Sequence, residues 1–408
     1  MKPRRAVITG LGVVAPTGIG VTEHWAATLS GRCRIAPVRD VDASGLPVRL
    51  AGQVEGFEQS EFVENRLAVQ TDRWTWMALA ATQLGFVDAA LDPAKEDPFK
   101  LSVVTASASG GNAFGQREIQ ALWKDGPRQV SAYQSIGWFY AASSGQISIK
   151  HKLKGACGVL VADGAGAVDA LAAARRQIGR GLSVVVTGGT EAPLSPYALA
   201  CQASLDTLSG GTDPARAYRP FAGDATGYVP GEGGAILVVE ELAHARRRGA
   251  PQVYAEVAGT ASTHDAFHVT DVAPDHAQLA RAVRLALDRA GCAPGDIGAV
   301  FADAAGAPGL DRLEVAALRA VFGSRRVPVT VPKTMTGRLY SGGAALDLAW
   351  AAQALSTGII PPSVNLTERD DLDLVTSPRE APGLAAVLVV ARGVGGFNSA
   401  AVLRTPDA

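Results

Sequence analysis

Residues 216–241 read RAYRPFAGDATGYVPGEGGAILVVEE. Gly231-Glu232-Gly233-Gly234 is a turn signal, and Ile236-Leu237-Val238-Val239 behind it is an unbroken apolar run, the pattern of a strand buried on both faces. No Lys-Ser/Thr pair follows the glycines, so the turn is not a phosphate cradle. A charged helix is expected from Glu240 to Arg248, and Gly249-Ala250-Pro251 then interrupts the chain. That break divides the sequence into residues 1–250 and 251–408.

Working outward, the same alternation recurs over nearly the whole length. Ala6-Val7-Ile8-Thr9, Val103-Val104-Thr105, Val159-Leu160-Val161, Val184-Val185-Val186 and Ala386 to Val390 read as buried strands. Ala/Leu-rich helices are expected between them, including Asp169 to Ile178, Gln278 to Ala290 and Leu346 to Leu355, with Thr22 as an N-cap early in the chain. Strands apolar on both faces and separated by helices argue an α/β fold with a mostly parallel, doubly covered sheet. No internal repeat is visible by direct similarity.

The 408 residues are 47% hydrophobic and 19% charged, with a formal net charge of −1. Such a chain supports a large core, and it presents no basic field for nucleic acid or anionic lipid. Cys33, Cys157, Cys201 and Cys292 are scattered without CxxC spacing, which excludes zinc and thioredoxin-like readings and suits a reducing cytoplasm. Gly10, Gly12, Pro16, Gly18 and Gly20 break up the N-terminal apolar stretch, so it reads as strand and turn and not as a signal peptide. No run reaches a membrane span. The segment Arg4 to Gly12 lacks the GxGxxG order of a dinucleotide site.

Five segments, in order, reach a family. RRAVITGLGVVAPTG (4–18), the quoted stretch (216–241), STHDAFHVT (262–270), PKTMTGRLYSGGA (332–344) and GVGGFNSA (393–400) resemble the β-ketoacyl synthases. The resemblance spans essentially the whole chain. It implies the thiolase fold, two duplicated αβα halves forming a five-layered αβαβα core. It also implies a chemistry in which a thiolate at the N-terminus of a buried helix carries the acyl chain and two histidines contact the malonyl thioester.

The reacting groups are missing. In Gly155 to Asp169 the position matching the nucleophile is Gly164, and the histidine positions fall on Asp303 and Arg338. Lys333, Asp311 and Glu314 still match the family; Asp303 and Arg338 are read as an ion pair filling the site or as groups facing ordered water, and Lys333 as a remnant holding that pair or nearby carbonyls. This pattern, with SAYQSIGWFYAASSGQISI (131–149), VPVTVPKTMTGRLYSGG (327–343) and GFNSAAVLR (396–404), resembles the chain length factor subgroup of bacterial type II aromatic polyketide synthases. Many members of that subgroup carry glutamine where Gly164 stands, and a glycine has no amide to assist malonyl decarboxylation.

The resemblance implies a heterodimer with a catalytic ketosynthase α subunit. It further implies an acyl carrier protein whose phosphopantetheine arm delivers substrate, no cofactor or metal on this chain, and a cytoplasmic location. It also implies that an amphipathic helix in the segment Gly110 to Trp123 lines the end of a shared polyketide tunnel. Asn112, Gly115 and Ile119 match gating positions, Phe114 and Trp123 are contact residues, and Tyr197 is a further lining candidate. Gly115 is expected to leave space for a long product. Cys157 and Cys201 are expected as buried packing residues, His268 as a core group and His264 as a surface one. Two rivals stand beside this reading: a competent synthase using a displaced cysteine, Cys157 or Cys201, and a homodimeric acyl-binding protein.

Overall fold

The structure, a computed structural model, describes residues 4–367 and 369–406. Ten strands carry the fold. The first five are β1 (Ala6–Ala15), β2 (Leu101–Ala106), β3 (Cys157–Leu160), β4 (Val184–Glu191) and β5 (Gly233–Glu241). The second five are β6 (Ala255–His264), β7 (Ala299–Phe301), β8 (Pro328–Thr330), β9 (Ala386–Gly393) and β10 (Phe397–Arg404). In space they run β1-β5-β4-β2-β3 and β6-β10-β9-β7-β8. Counted within its own half, each quintet has the order 1-5-4-2-3, a duplication that residue similarity hides. The seam between them is the antiparallel pair β1–β6, with Val7 opposite Glu256 and Ile8 opposite Ala255.

The sheet is mixed, which corrects the mostly parallel expectation. β2 runs parallel to β3 and β4, and β7 parallel to β8 and β9. The middle of the molecule is antiparallel, through β1–β5, β4–β5, β6–β10 and β9–β10. Continuous apolar strands report cover on both faces, not direction. The short link from Gly393 to Phe397 leaves β9 and β10 no geometry except a hairpin.

Helices complete five layers. α1 (Arg73–Asp88) lies on β1, β5 and β4, with α3 (Ala142–His151) beside it. Between these two in sequence comes α2 (Asn112–Asp125). α4 (Gly166–Gly179) enters the middle of the molecule, and α5 (Pro196–Ala203) is a short surface helix. α6 (Ala277–Ala290) and α7 (Pro308–Phe322) pack together over the second half, and α8 (Tyr340–Thr357) joins α4 between the two halves of the sheet. Ser341 to Leu355 of α8 are all buried, as a helix walled by both halves of the sheet requires.

Three local expectations change. β1 runs on through Gly10 and Gly12, because a Cβ at Gly12 would lie 1.7 Å from the Ala81 carbonyl oxygen of α1. These glycines serve close helix approach and not a turn. A helix ahead of α1, Val21–Leu29, begins after Gly20, so Thr22 lies inside it. Glu240 and Glu241 end β5, and Glu241 caps the shorter helix Leu242–Arg247 by accepting from Ala243 and His244 N–H.

Candidate functional site

The tight turn Asp163–Ala165 delivers α4 to the centre of the molecule, with Gly164 buried at its start. A Cβ at Gly164 would stand 2.4 Å from the Arg392 carbonyl oxygen and 3.4 Å from Arg338 Nη2. The position is therefore closed and not a vacant socket. Arg338 Nη1 donates to the Asp303 carbonyl at 2.7 Å and to Oδ2 at 3.2 Å, and Nη2 donates to Oδ1 at 3.0 Å. The Arg392 N–H adds a bond to Asp303 Oδ1 at 3.0 Å. Burial opposes the charge on Asp303, but Arg338 and Lys333 outweigh it and hold the carboxyl below its ordinary range.

Lys333 Nζ donates to the carbonyls of Ala302 (2.7 Å) and Asp303 (3.1 Å) and pairs with Asp347 Oδ2 of α8 at 2.6 Å. It ties the end of β7 to the central helix. Glu314 of α7 accepts from the N–H groups of Asp303 and Ala304 at 2.7 and 2.8 Å, and burial pushes its carboxyl up to about 7. Asp311 accepts from Phe221 and Gly306 N–H, and its carboxyl is pushed up to about 6 by burial. Lys333, Glu314 and Asp311 thus fix the 302–306 loop.

Above Gly164 lies a cavity of about 530 Å³ whose walls include Tyr228, Asp303, Arg338, Tyr340 and Val394. It presents neither thiol nor imidazole. Cys157 opens β3 as expected but is exposed, and Cys201 of α5 is exposed too, which corrects both burial expectations. β3 is the outermost strand of its half, so a residue at its start has a neighbour on one side only. His268 also departs from expectation: it sits on an exposed loop, 3.2 Å from Asp271. His264, at the end of β6, is exposed and meets Phe397 edge-on. Among the described residues no His/Cys/Asp/Glu cluster has a metal-binding arrangement.

The second group of candidates gathers on α2, away from that cavity. Ile119 and Trp123, one turn apart, are 50% and 82% exposed and share a face. Asn112 is partly exposed at the helix start, while Phe114 and Gly115 are buried. The Tyr197 N–H donates to Gln116 Oε1 at 3.0 Å, joining α5 to α2, and its ring is 54% exposed. The expected free space at Gly115 is absent within the chain: a Cβ there would meet Trp138 Cδ1 at 2.7 Å. Trp138, in the aromatic run 133–140, is the wall that the sequence reading missed. It is half exposed next to the exposed Phe139.

Two buried carboxylates also escaped that reading. Asp72 Oδ2 accepts the Phe114 N–H at 2.8 Å. Glu191 accepts from the Ala108 N–H at 2.5 Å and from Ser109 Oγ at 2.8 Å, and burial pushes it up to about 8. Together they anchor the approach to α2. Their partners are far off in sequence, so no local motif announces them.

Comparison with known proteins places this arrangement. The β-ketoacyl synthase N-terminal domain family matches residues 4–245 and the C-terminal domain family matches residues 254–367. The tetracenomycin polyketide synthase ketoacyl synthase beta subunit of Streptomyces glaucescens is 50% identical over 407 residues, 98% of each chain. The alpha subunit of the same synthase is 35% identical over 416 residues, covering 99% of this chain and 97% of its own. Among solved structures, the ishigamide ketosynthase/chain length factor superposes with a TM-score of 0.91 at 27% identity, over 99% of this chain and 100% of that one. The AntDE:AntF complex, a type II acyl-carrier protein with its ketosynthase bound to the hexaketide, gives 0.90 at 27% identity over all of both chains. The chain belongs to the β-ketoacyl synthase family, with the ketosynthase beta subunits, or chain length factors, of type II polyketide synthases.

Proposed function

We propose that this chain is the non-condensing subunit of a heterodimeric ketosynthase and bounds the space in which a poly-β-keto chain grows on an acyl carrier protein. The carrier's phosphopantetheine arm reaches the catalytic α subunit, and this chain contributes the far wall and the interface. Both halves, 1–250 and 251–408, serve one scaffold, in the cytoplasm. The observation that carries the reading is the site at Gly164. A salt-bridged Asp303–Arg338 pair stands there, and among the described residues that line the cavity there is neither thiol nor imidazole. The exposed aromatic face around α2 supports a protein partner, since apolar surface of this kind is covered in stable assemblies.

The test is coexpression with a catalytic ketosynthase, then size-exclusion chromatography and intact mass after loading from malonyl-carrier protein. A one-to-one complex labelled only on the partner is the expected result. The displaced-cysteine alternative draws on the exposure of Cys157 and Cys201. Acyl label on either would move the assignment to that reading, and a homodimer indifferent to the partner would favour the acyl-binding one.

A further inference from the structure

Asp163, next to Gly164, has φ of 46°, in the left-handed region that side-chain-bearing residues rarely adopt. Its carbonyl is held by Ser341 Oγ of α8 at 2.7 Å. In this bent posture its carboxylate turns back over the entrance of α4. Oδ2 accepts the Val394 N–H at 2.8 Å, and the neighbouring Gly164 N–H favours the charged form of the same carboxylate. Val394 belongs to the link between β9 and β10, an element of the other half. Two main-chain N–H groups from separate elements therefore converge beside position 164. A pair of fixed donors at that point is an arrangement for an oxygen that carries or gains negative charge. Asp163, Gly164 and Val394 all line the 530 Å³ cavity, so the donors face a space a ligand could enter.

We propose that Asp163 is a built-in blocking group: its carboxylate fills this amide pair and closes the cavity to ligands that need those donors, above all the carbonyl of an acyl thioester. The inference rests on Gly164 marking the lost nucleophile position, and it does not depend on the tunnel reading. It goes further than the loss of reacting groups, because the donors survive and are occupied from within. Blocking needs no particular charge state, since a protonated carboxyl still offers an accepting oxygen. As a result, this chain lends the complex no thioester-polarising site of its own.

Asp163→Gly removes the carboxylate and suits a φ of 46°, while Asp163→Asn keeps an accepting oxygen in place. The probe is the amide analogue of acetyl-pantetheine, with nitrogen for the thioester sulfur. Equilibrium dialysis would use the full chain with a catalytic subunit whose reactive cysteine is replaced by alanine, and a crystal soak would locate the probe. The expected result is no probe on this chain in the wild type or the asparagine variant, and one added equivalent at Gly164 in the glycine variant. Probe bound to the Gly164 and Val394 amides in wild type overturns the proposal. So does a folded glycine variant that takes up none. If the glycine variant does not fold, Asp163→Ala replaces it in the same comparison. A chain that refuses the catalytic subunit defeats the proposed function instead, and the dialysis is then run on the chain alone.

Discussion

A single methyl group is already too much at position 164. With the Arg392 carbonyl 2.4 Å from where a Cβ would stand, Gly164→Cys forces the backbone or Arg338 aside. It should destabilise the chain by about 1–3 kcal/mol, as overpacking does. It should also fail to label with a cysteine-directed synthase inhibitor, as read by thermal melting and intact mass. Arg338→Ala strips Asp303 of its partner in a buried setting and should cost about 3–5 kcal/mol. Replacing both by apolar residues should recover most of that loss in a double-mutant cycle. Glu191 carries a pH signature. Burial lifts its carboxyl from 4.5 to about 8, so between those values the folded chain keeps a proton that the unfolded chain releases. The unfolded state then binds fewer protons, and stability falls as pH rises through that window. Melting temperatures from pH 5 to 8 should show the decline, and Glu191→Gln should reduce it, leaving the share carried by Glu314 and Asp311. At this scale the grouping of Gly164, Asp303 and Arg338 was legible, because all three sit inside recognisable segments and the structure brings them together. Asp163 was not, since the amide it occupies lies 231 positions away.

Helix α2 shows how an element can be found correctly and still be misread. Its place within Gly110 to Trp123 follows from the sequence, yet the room attributed to Gly115 depends on what lies across from it. That neighbour, Trp138, comes from a separate segment, and only packing brings the two together. Trp138→Ala should open this corner and, with the catalytic partner present, shift products toward longer chains by mass spectrometry. Gly115→Ala should crowd the indole and lower the melting temperature of the chain. Strands present the same limit. Ile236 to Val239 is plainly a strand covered on both faces, but its antiparallel neighbours β1 and β4 are matters of connection that no apolar run encodes.

The whole molecule is two copies of one strand order joined at β1–β6, and the residues of the copies have diverged beyond direct recognition while their topology has not. What distinguishes the halves outwardly is the aromatic surface carried by the first. Trp123, 82% exposed, is the residue on that surface with most to gain from cover. Trp123→Asp should weaken the heterodimer by about 2 kcal/mol or more, the scale of an interface hot spot, with the monomer peak growing on size-exclusion chromatography. Strand β3 adds a last consequence. It bonds to β2 on one side and ends the sheet on the other, so half its ladder faces outward. Amide protons on that open side trade with deuterium from solvent on the timescale of a loop, although they belong to a strand. Cover on that edge would slow the exchange, so Cys157–Leu160 reports without a label whether the edge is free.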